Sequence, residues 1–317
     1  MDVITLGETM VLLTPETIGP MRYASTFTAK VAGAETNVAI GLARLGHQVG
    51  WLSRLGKDEF GKKILAFIRG EGVDISRVTF DPQASTGLYF KELITEEEIA
   101  VHYYRKDSAA SHLSPNDLDE AYIASATYLH LTGITPALSD SCRDTVFAAI
   151  DWAKRSGVTV VFDPNLRRKL WSDQKAKETL LAISAQADIL LPGLDEAHFL
   201  FGELETEQLV ERFQEQGAKR VILKLGAKGA YYKTEDESGY VEGFPVRKVL
   251  DPVGAGDGFA AGLLSGLLDQ LPFKEAVKRA AAVGALVTMV PGDVEGLPDR
   301  ERMEAFINHQ QHADVNR

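Results

Sequence analysis

Only one cysteine, Cys142, occurs in 317 residues, which excludes an internal disulfide and any metal cluster built on thiolates. It falls near the start of a helical pattern and reads as a small core residue rather than a catalytic thiol. Long apolar runs are missing too: none reaches the length a helix needs to cross a bilayer. A secretory leader is not expected, because Asp2, Glu8 and Thr9 come too early for a basic segment followed by an apolar one. Positive charge is in deficit. Lys and Arg number 34 against 45 Asp and Glu, a formal net charge of −11, and a nucleic-acid backbone rewards clustered cations instead. The deficit does not exclude a small anionic ligand held by a few placed arginines. Two nucleotide motifs are also absent. No Gly-x-Gly-x-x-Gly follows the first strand and no Gly-x-x-x-x-Gly-Lys-Ser/Thr loop occurs, so neither a dinucleotide-dependent dehydrogenase nor a P-loop kinase is expected. What remains is a cytoplasmic protein without nucleic-acid or membrane partners.

What is present is an ordinary globular mix, 45% hydrophobic and 25% charged, long enough for one large α/β domain or two smaller ones. Val3 to Leu6 reads as a short strand. Residues 14–30 are a loop or protruding ribbon with Pro15, Gly19 and Pro20. From Asn37 the apolar residues Val38, Ile40, Leu42 and Leu45 predict a buried helix ending at Gly46, with Gly33 just ahead of it where backbone can meet a ligand. A strand over 48–55 and a helix over 58–69 continue the alternation, which implies a parallel sheet flanked by helices. Residues 85–105 break it. Two β-rich stretches, 86–94 and 99–104, flank the polar turn 95–98 and predict a hairpin that serves as a lid or a dimer contact. The alternation then resumes with strands at 128–131, 158–162, 189–191 and 220–223. Polar residues follow the strand ends, Asp163 to Arg167 and Lys224 to Gly229, where open α/β sheets place ligands. No repeat or linker is visible, so residues 1–317 are read as one domain with lid strands from about 10–32 and 85–106.

The most informative stretch is Asp251 to Leu264, Asp-Pro-Val-Gly-Ala-Gly-Asp-Gly-Phe-Ala-Ala-Gly-Leu-Leu. Small residues let several amide groups converge, and the helix that follows adds its own unpaired N–H groups and the positive end of its dipole. That is an anion hole with Asp257 at its lip, able to take a proton from an alcohol while negative charge on a phosphoryl group is stabilised. A turn with an N-capping Asp has the same spacing, and spacing alone leaves both readings standing.

Taken together, these residues resemble the ribokinase (PfkB) family of sugar kinases over nearly the whole chain. The 251–264 stretch matches its C-terminal signature, and Asn37-Val38-Ala39 with Gly46 and Gly56 resembles its N-terminal one. Glu35 departs, standing where a small residue is usual. Within the family, Gly-Ala-Glu-x-Asn at 33–37, Leu191 to Glu196 and Gly292 to Pro298 are similar to the 2-keto-3-deoxygluconate kinases. The resemblance implies a central, mostly parallel sheet with a β-strand lid, and ATP with Mg²⁺ as cofactors. It makes Asp257 the general base and the backbone of Gly254, Ala255 and Gly256 the anion hole. Asn165, Lys224, Gly226, Ala227, Lys228 and Gly229 would serve ATP together with Gly254 and Gly256. Gly33, Asn37 and Asp293 would hold sugar hydroxyls, and Glu196 would reach the metal through water or phosphate. Gly193 and Ala281 replace usual asparagines. A monovalent cation such as K⁺ near Asp251 is left open.

A sugar acid carries a carboxylate that a neutral sugar lacks, so its site should offer arginine or a cluster of donors. Arg105 and Arg167 fit, with Tyr89 and Tyr103 beside them. The plainer alternatives are Arg105 paired with Glu96 or Glu98 on the lid surface, and Arg167 flanking a helix beside Arg168 and Lys169. The implied reaction is phosphorylation of the C6 hydroxyl of 2-keto-3-deoxygluconate. A fructokinase or ribokinase on a neutral sugar, and a silent sugar sensor, are the alternatives. A homo-oligomer through the lid strands is expected.

Overall fold

The computed structural model describes residues 1–95 and 98–315, with side chains through residue 309. In chain order its strands are Val3–Leu6 (β1), Met10–Pro15 (β2), Phe27–Ala32 (β3), Val49–Gly56 (β4), Val78–Asp81 (β5), Leu88–Leu93 (β6), Ile99–Tyr104 (β7), Tyr128–Thr132 (β8), Thr159–Asp163 (β9), Ile189–Leu190 (β10), Arg220–Lys224 (β11), Ala230–Lys233 (β12) and Ser238–Val241 (β13). Nine of them form one sheet in the order β13-β12-β11-β10-β9-β8-β1-β4-β5. Pairing is parallel from β11 to β5, and β12 and β13 add an antiparallel edge. Strands buried on both faces should read as continuous apolar runs, and Val160, Val161 and Phe162 are fully buried. Two buried clusters cover the two faces, one built around Trp51 and the Ala255–Leu268 helix, the other around Phe162 and Phe213. The chain runs outward from β1 through β4 to β5, then returns to β8 on the other side of β1. That reversal opens a crevice at the carboxyl ends of the strands, where this architecture places ligands.

The remaining four strands make a second sheet in the order β3-β2-β6-β7. Tyr89 faces Tyr103 across β6 and β7, and their rings stack at 5.5 Å. Strand alternation puts these on one face with Met10, Leu12 and Ala32, and all of that group but Tyr103, 41% exposed, are buried. Phe27, Phe90 and Tyr104 form a contacting aromatic row, of which Tyr104 is 62% exposed. The small sheet therefore has an apolar outer surface as well as an inner one.

Several boundaries differ from expectation. The first helix begins at Ala34, not Asn37, with Gly33 as its N-cap, so Asn37 sits inside the first turn. Strand β6 begins at Leu88 rather than Thr86. The amide and hydroxyl of Thr86 both donate to Asp58, which also caps the Glu59–Gly70 helix through the Gly61 amide. The last helix, Arg300–Val315, passes beyond His309. Glu96 and Glu97 of the expected hairpin turn lie outside the described residues.

Candidate active site

Asp257 stands in the first turn of the Ala255–Leu268 helix, and Gly254 caps that helix in the left-handed region at φ +80°. An added Cβ at Gly254 would lie 2.8 Å from the Asp293 carbonyl oxygen, so the turn admits no side chain. The amides of Gly254, Gly256 and Asp257 donate to no protein group among the described residues. Ala255 is the exception to the expected hole. Its amide turns back to the Pro252 carbonyl at 3.3 Å, as a tight turn before a helix requires. The Asp257 carboxylate is 8% exposed and accepts from Asn37 Nδ2 at 2.7 Å. Burial, with lesser help from Asp163 and Asp293, raises its pKa to about 7, against the pull of Asn37 and Arg167. An acid poised there can exchange a proton with an alcohol near neutral pH.

A cavity of about 340 Å³ opens on one side of Asp257, between the large sheet and the inner face of the small one. Gly33, Asn37, Tyr89, Tyr103, Arg105, Arg167 and Asp293 all line it. Gly33 brings backbone close: a Cβ there would lie 2.6 Å from the Glu8 carbonyl oxygen. Asn37 Oδ1 and Arg105 Nε are buried without protein partners, an acceptor and a donor left for a ligand. Burial raises the Asp293 carboxyl to about 6, although Lys91 opposes it. The Tyr89 hydroxyl donates to Asp293 at 3.4 Å, and its own pKa rises through burial first and then that neighbour.

The two arginines differ. Arg105 is 7% exposed and pairs with buried Glu8 rather than with Glu98, Glu96 lying outside the described residues, while its guanidinium lies over the Tyr103 ring at 5.5 Å. Ser108 Oγ holds the other Glu8 oxygen at 2.5 Å. Arg167 is exposed on the loop after β9, faces the same cavity, and has no ion pair among the described residues. Its contact is with the Leu166 carbonyl, at 3.5 Å.

A second cavity of about 690 Å³ adjoins the first and shares Glu196, Lys224, Pro252 and Gly256 with it. Gly226, Ala227 and Gly229 line it, with Phe244, Val246, Val249, Phe259 and Ala281 supplying apolar walls. Three of the residues expected at ATP lie outside this cavity. Lys228 is exposed and lines neither cavity, because the short Gly226–Lys228 turn carries its side chain outward. Asn165 and Gly254 line the first cavity rather than the second. Lys224 Nζ lies at the junction, 2.6 Å from Asp163 Oδ2 and 3.6 Å from where a Gly256 Cβ would stand. Burial would lower its pKa, but Asp163 and Glu196 outweigh burial and raise it. Glu196 accepts from the Gly193 and Leu166 amides at 2.7 and 2.8 Å, so it fixes two loops at once; burial foremost raises it.

The sequence reading did not single out Asp163, Lys91 or Glu8 as site residues, although all three line the first cavity. Asp163 was the legible one, a carboxylate ending an apolar strand before Pro164 and Asn165, and Asn165 takes φ +37° there. Lys91 and Glu8 carry no local signal: each matters through a partner far along the chain.

An acid in a nest of free amides, a cation beside it, and separate cavities for an alcohol and for an apolar-walled partner define a small-molecule kinase. Comparison gives the family. Residues 1–300 match the pfkB family of carbohydrate kinases, and the chain belongs to that family. It is 43% identical over 312 residues to a 2-dehydro-3-deoxygluconokinase of Bacillus subtilis, covering 98% of this chain and 96% of that one. It is 37% identical to the enzyme of the same name from Thermoproteus tenax, over 96% of this chain and 94% of that one. Among solved structures, a putative ribokinase II from E. coli in complex with ATP and Mg²⁺ is similar at a TM-score of 0.90 and 29% identity. That match covers 97% of this chain and 99% of the other.

Proposed function

We propose that the chain transfers the γ-phosphoryl group of ATP to the C6 hydroxyl of 2-keto-3-deoxygluconate, giving 2-keto-3-deoxy-6-phosphogluconate and ADP. The observation that carries this reading is Arg167, a guanidinium lining the sugar cavity that feels Asp257 across it but makes no ion pair among the described residues. Arg105 is already balanced by Glu8. A guanidinium left without an ion pair in a sugar site matches a carboxylate, which it binds in a two-pronged geometry that a neutral sugar cannot use. The names of the two relatives, which denote the same sugar acid under its dehydro name, support the choice.

In this reading the sugar acid lies between the two sheets, its hydroxyls on Asn37, Asp293 and the Gly33 backbone, with Tyr89 and Tyr103 against it. Asp257 takes the C6 hydroxyl proton as that oxygen forms its bond to the γ-phosphorus, and the bond from phosphorus to the β-phosphate oxygen breaks to release ADP. The Gly254 and Gly256 amides and Lys224 face the transferring group and need no reorganisation as charge develops. The apolar walls of the second cavity suit a nucleotide base, and Gly226, Ala227 and Gly229 let backbone approach the phosphates.

Among the described residues no cluster of three or more His, Cys, Asp or Glu forms a metal cage. Mg²⁺ needs only one or two carboxylates beside nucleotide oxygens and waters, and Glu196 and Asp163 at the junction fit that requirement. When bound, the metal neutralises phosphate charge. The chain acts as a single catalytic unit in the cytoplasm, where ATP is available. The Phe27, Phe90 and Tyr104 row, exposed at Phe27 and Tyr104, supports a homo-oligomer formed through the lids.

The test is ADP release with 2-keto-3-deoxygluconate, its galactonate-derived epimer, fructose and ribose, on the wild type and Arg167→Ala. The variant should lose about 10- to 100-fold in kcat/KM for the sugar acid, the scale of one charge-assisted contact, and little for fructose. A wild type that prefers fructose, or an Arg167→Ala loss equal on both sugars, overturns the acid reading. Sugar binding without any turnover would make the protein a sensor.

A further inference from the structure

Two lysines of the small sheet reach across to the loops around Asp257. Lys30 of β3 pairs with Glu295 at 2.8 Å, near the surface. Lys91 of β6 goes deeper: its ammonium lies 2.5 Å from Asp251 Oδ2, with the two side chains 14% and 8% exposed. Asp251 opens the turn that runs through Pro252 and Val253 to Gly254, the cap of the catalytic helix. Its Oδ1 accepts from the Val253 amide at 3.1 Å, and its Oδ2 also accepts from the Gly292 amide at 3.3 Å. The carboxylate is thus satisfied by three donors from three parts of the chain, and the only full charge among them comes from the lid. Removing that charge would leave Asp251 a buried anion beside Asp293, close to a hole that must accept a phosphoryl group.

We propose that Lys91 is a positioning residue for phosphoryl transfer: its ammonium is the built-in cation of Asp251 and sets the turn that carries the anion hole. Lid closure and readiness of the hole are then one event, because the cation arrives with the lid. The carboxylate beside which a monovalent cation was left open is already occupied, so turnover needs no such ion from solution. This rests on the kinase reading above.

The experiment measures ADP release by the wild type and Lys91→Ala with saturating 2-keto-3-deoxygluconate, in buffers whose only monovalent cation is tetramethylammonium, Na⁺, K⁺, NH₄⁺ or methylammonium. The wild type should be indifferent to the cation. Lys91→Ala should lose about 100-fold in kcat, the scale of one preorganised electrostatic group, and regain several-fold with K⁺, NH₄⁺ or methylammonium but not with tetramethylammonium. A structural role alone would show no such rescue. Should Lys91→Ala fail to fold, Asp251→Asn replaces it: kcat should fall, and no cation should restore it. A wild type stimulated several-fold by K⁺ or NH₄⁺, a Lys91→Ala protein with normal kcat or a loss that no cation repairs, or an Asp251→Asn protein with normal kcat each overturns the inference while leaving the kinase reading intact. A wild type that releases no ADP overturns both.

Discussion

Replacing Asp257 with Asn should make the protein more stable and nearly inactive, and the stability gain should depend on pH in one direction only. Asn keeps the size of the side chain and still offers an oxygen to Asn37, so the substitution isolates the charge. The pKa of Asp257 rises from 3.8 to about 7 on folding, chiefly through burial. The folded chain therefore binds that proton more tightly than the unfolded chain. The stabilising effect of the proton is complete below about 3.8 and is lost progressively as pH rises to about 7. Above that, the buried carboxylate costs about 4 kcal/mol relative to a neutral isostere. With roughly 2.1 cal/mol/K of unfolding entropy per residue, this is a rise in Tm of about 6 °C at pH 8. Ligand-free melts at pH 5 and pH 8 read it, and the advantage of Asp257→Asn should grow by about 3 kcal/mol between them. In parallel, kcat should fall by about 100- to 10,000-fold, the usual range for a general base, and the wild-type kcat/KM should rise with pH through an apparent pKa near 7. An advantage that stays flat between the two pH values would refute the burial argument. Near-normal turnover would remove Asp257 from the role of base.

Gly7→Ala tests the packing around Glu35. The new Cβ would lie 2.1 Å from Glu35 Cδ, and Glu35 is held in place by the Thr132 and Thr135 hydroxyls at 2.6 and 3.0 Å. Denaturant titration should show a loss of about 1–3 kcal/mol from overpacking, much reduced in a Glu35→Ala background. Equal losses in both backgrounds would break the assigned contact. On the lid, Tyr104→Lys places a charge in the exposed aromatic row and should convert an oligomer to monomers in light scattering. A monomeric wild type would end the lid-interface idea.

Glu35 illustrates how far the sequence could be read. Its presence at 35 was legible as a departure from the family pattern, but its meaning was not. It is fully buried, with its pKa raised mainly by burial, and it fills the space that Gly7 leaves. Arg105 is similar. It lines the first cavity, where a site residue was expected, yet the surface pairing considered for it was replaced by Glu8, which no spacing connects to it. The strand and helix order was legible because burial imposes periods of two and 3.6 on the chain. Boundaries slipped where a side chain competed with the backbone, as at Thr86 and Asp58.

By itself the sequence determined everything that depends on neighbours along the chain: the alternation that builds a parallel sheet, and the small residues that fold a turn in front of Asp257. Only the tertiary structure decided how charges from distant segments are matched. Asn37 meets Asp257 across 220 residues, Lys91 meets Asp251 across 160, and Lys224 meets Asp163 across 61. Local periodicity carries no record of such pairs. They form because a polar group taken out of water must find a partner, and the packed sheets fix which partner is within reach.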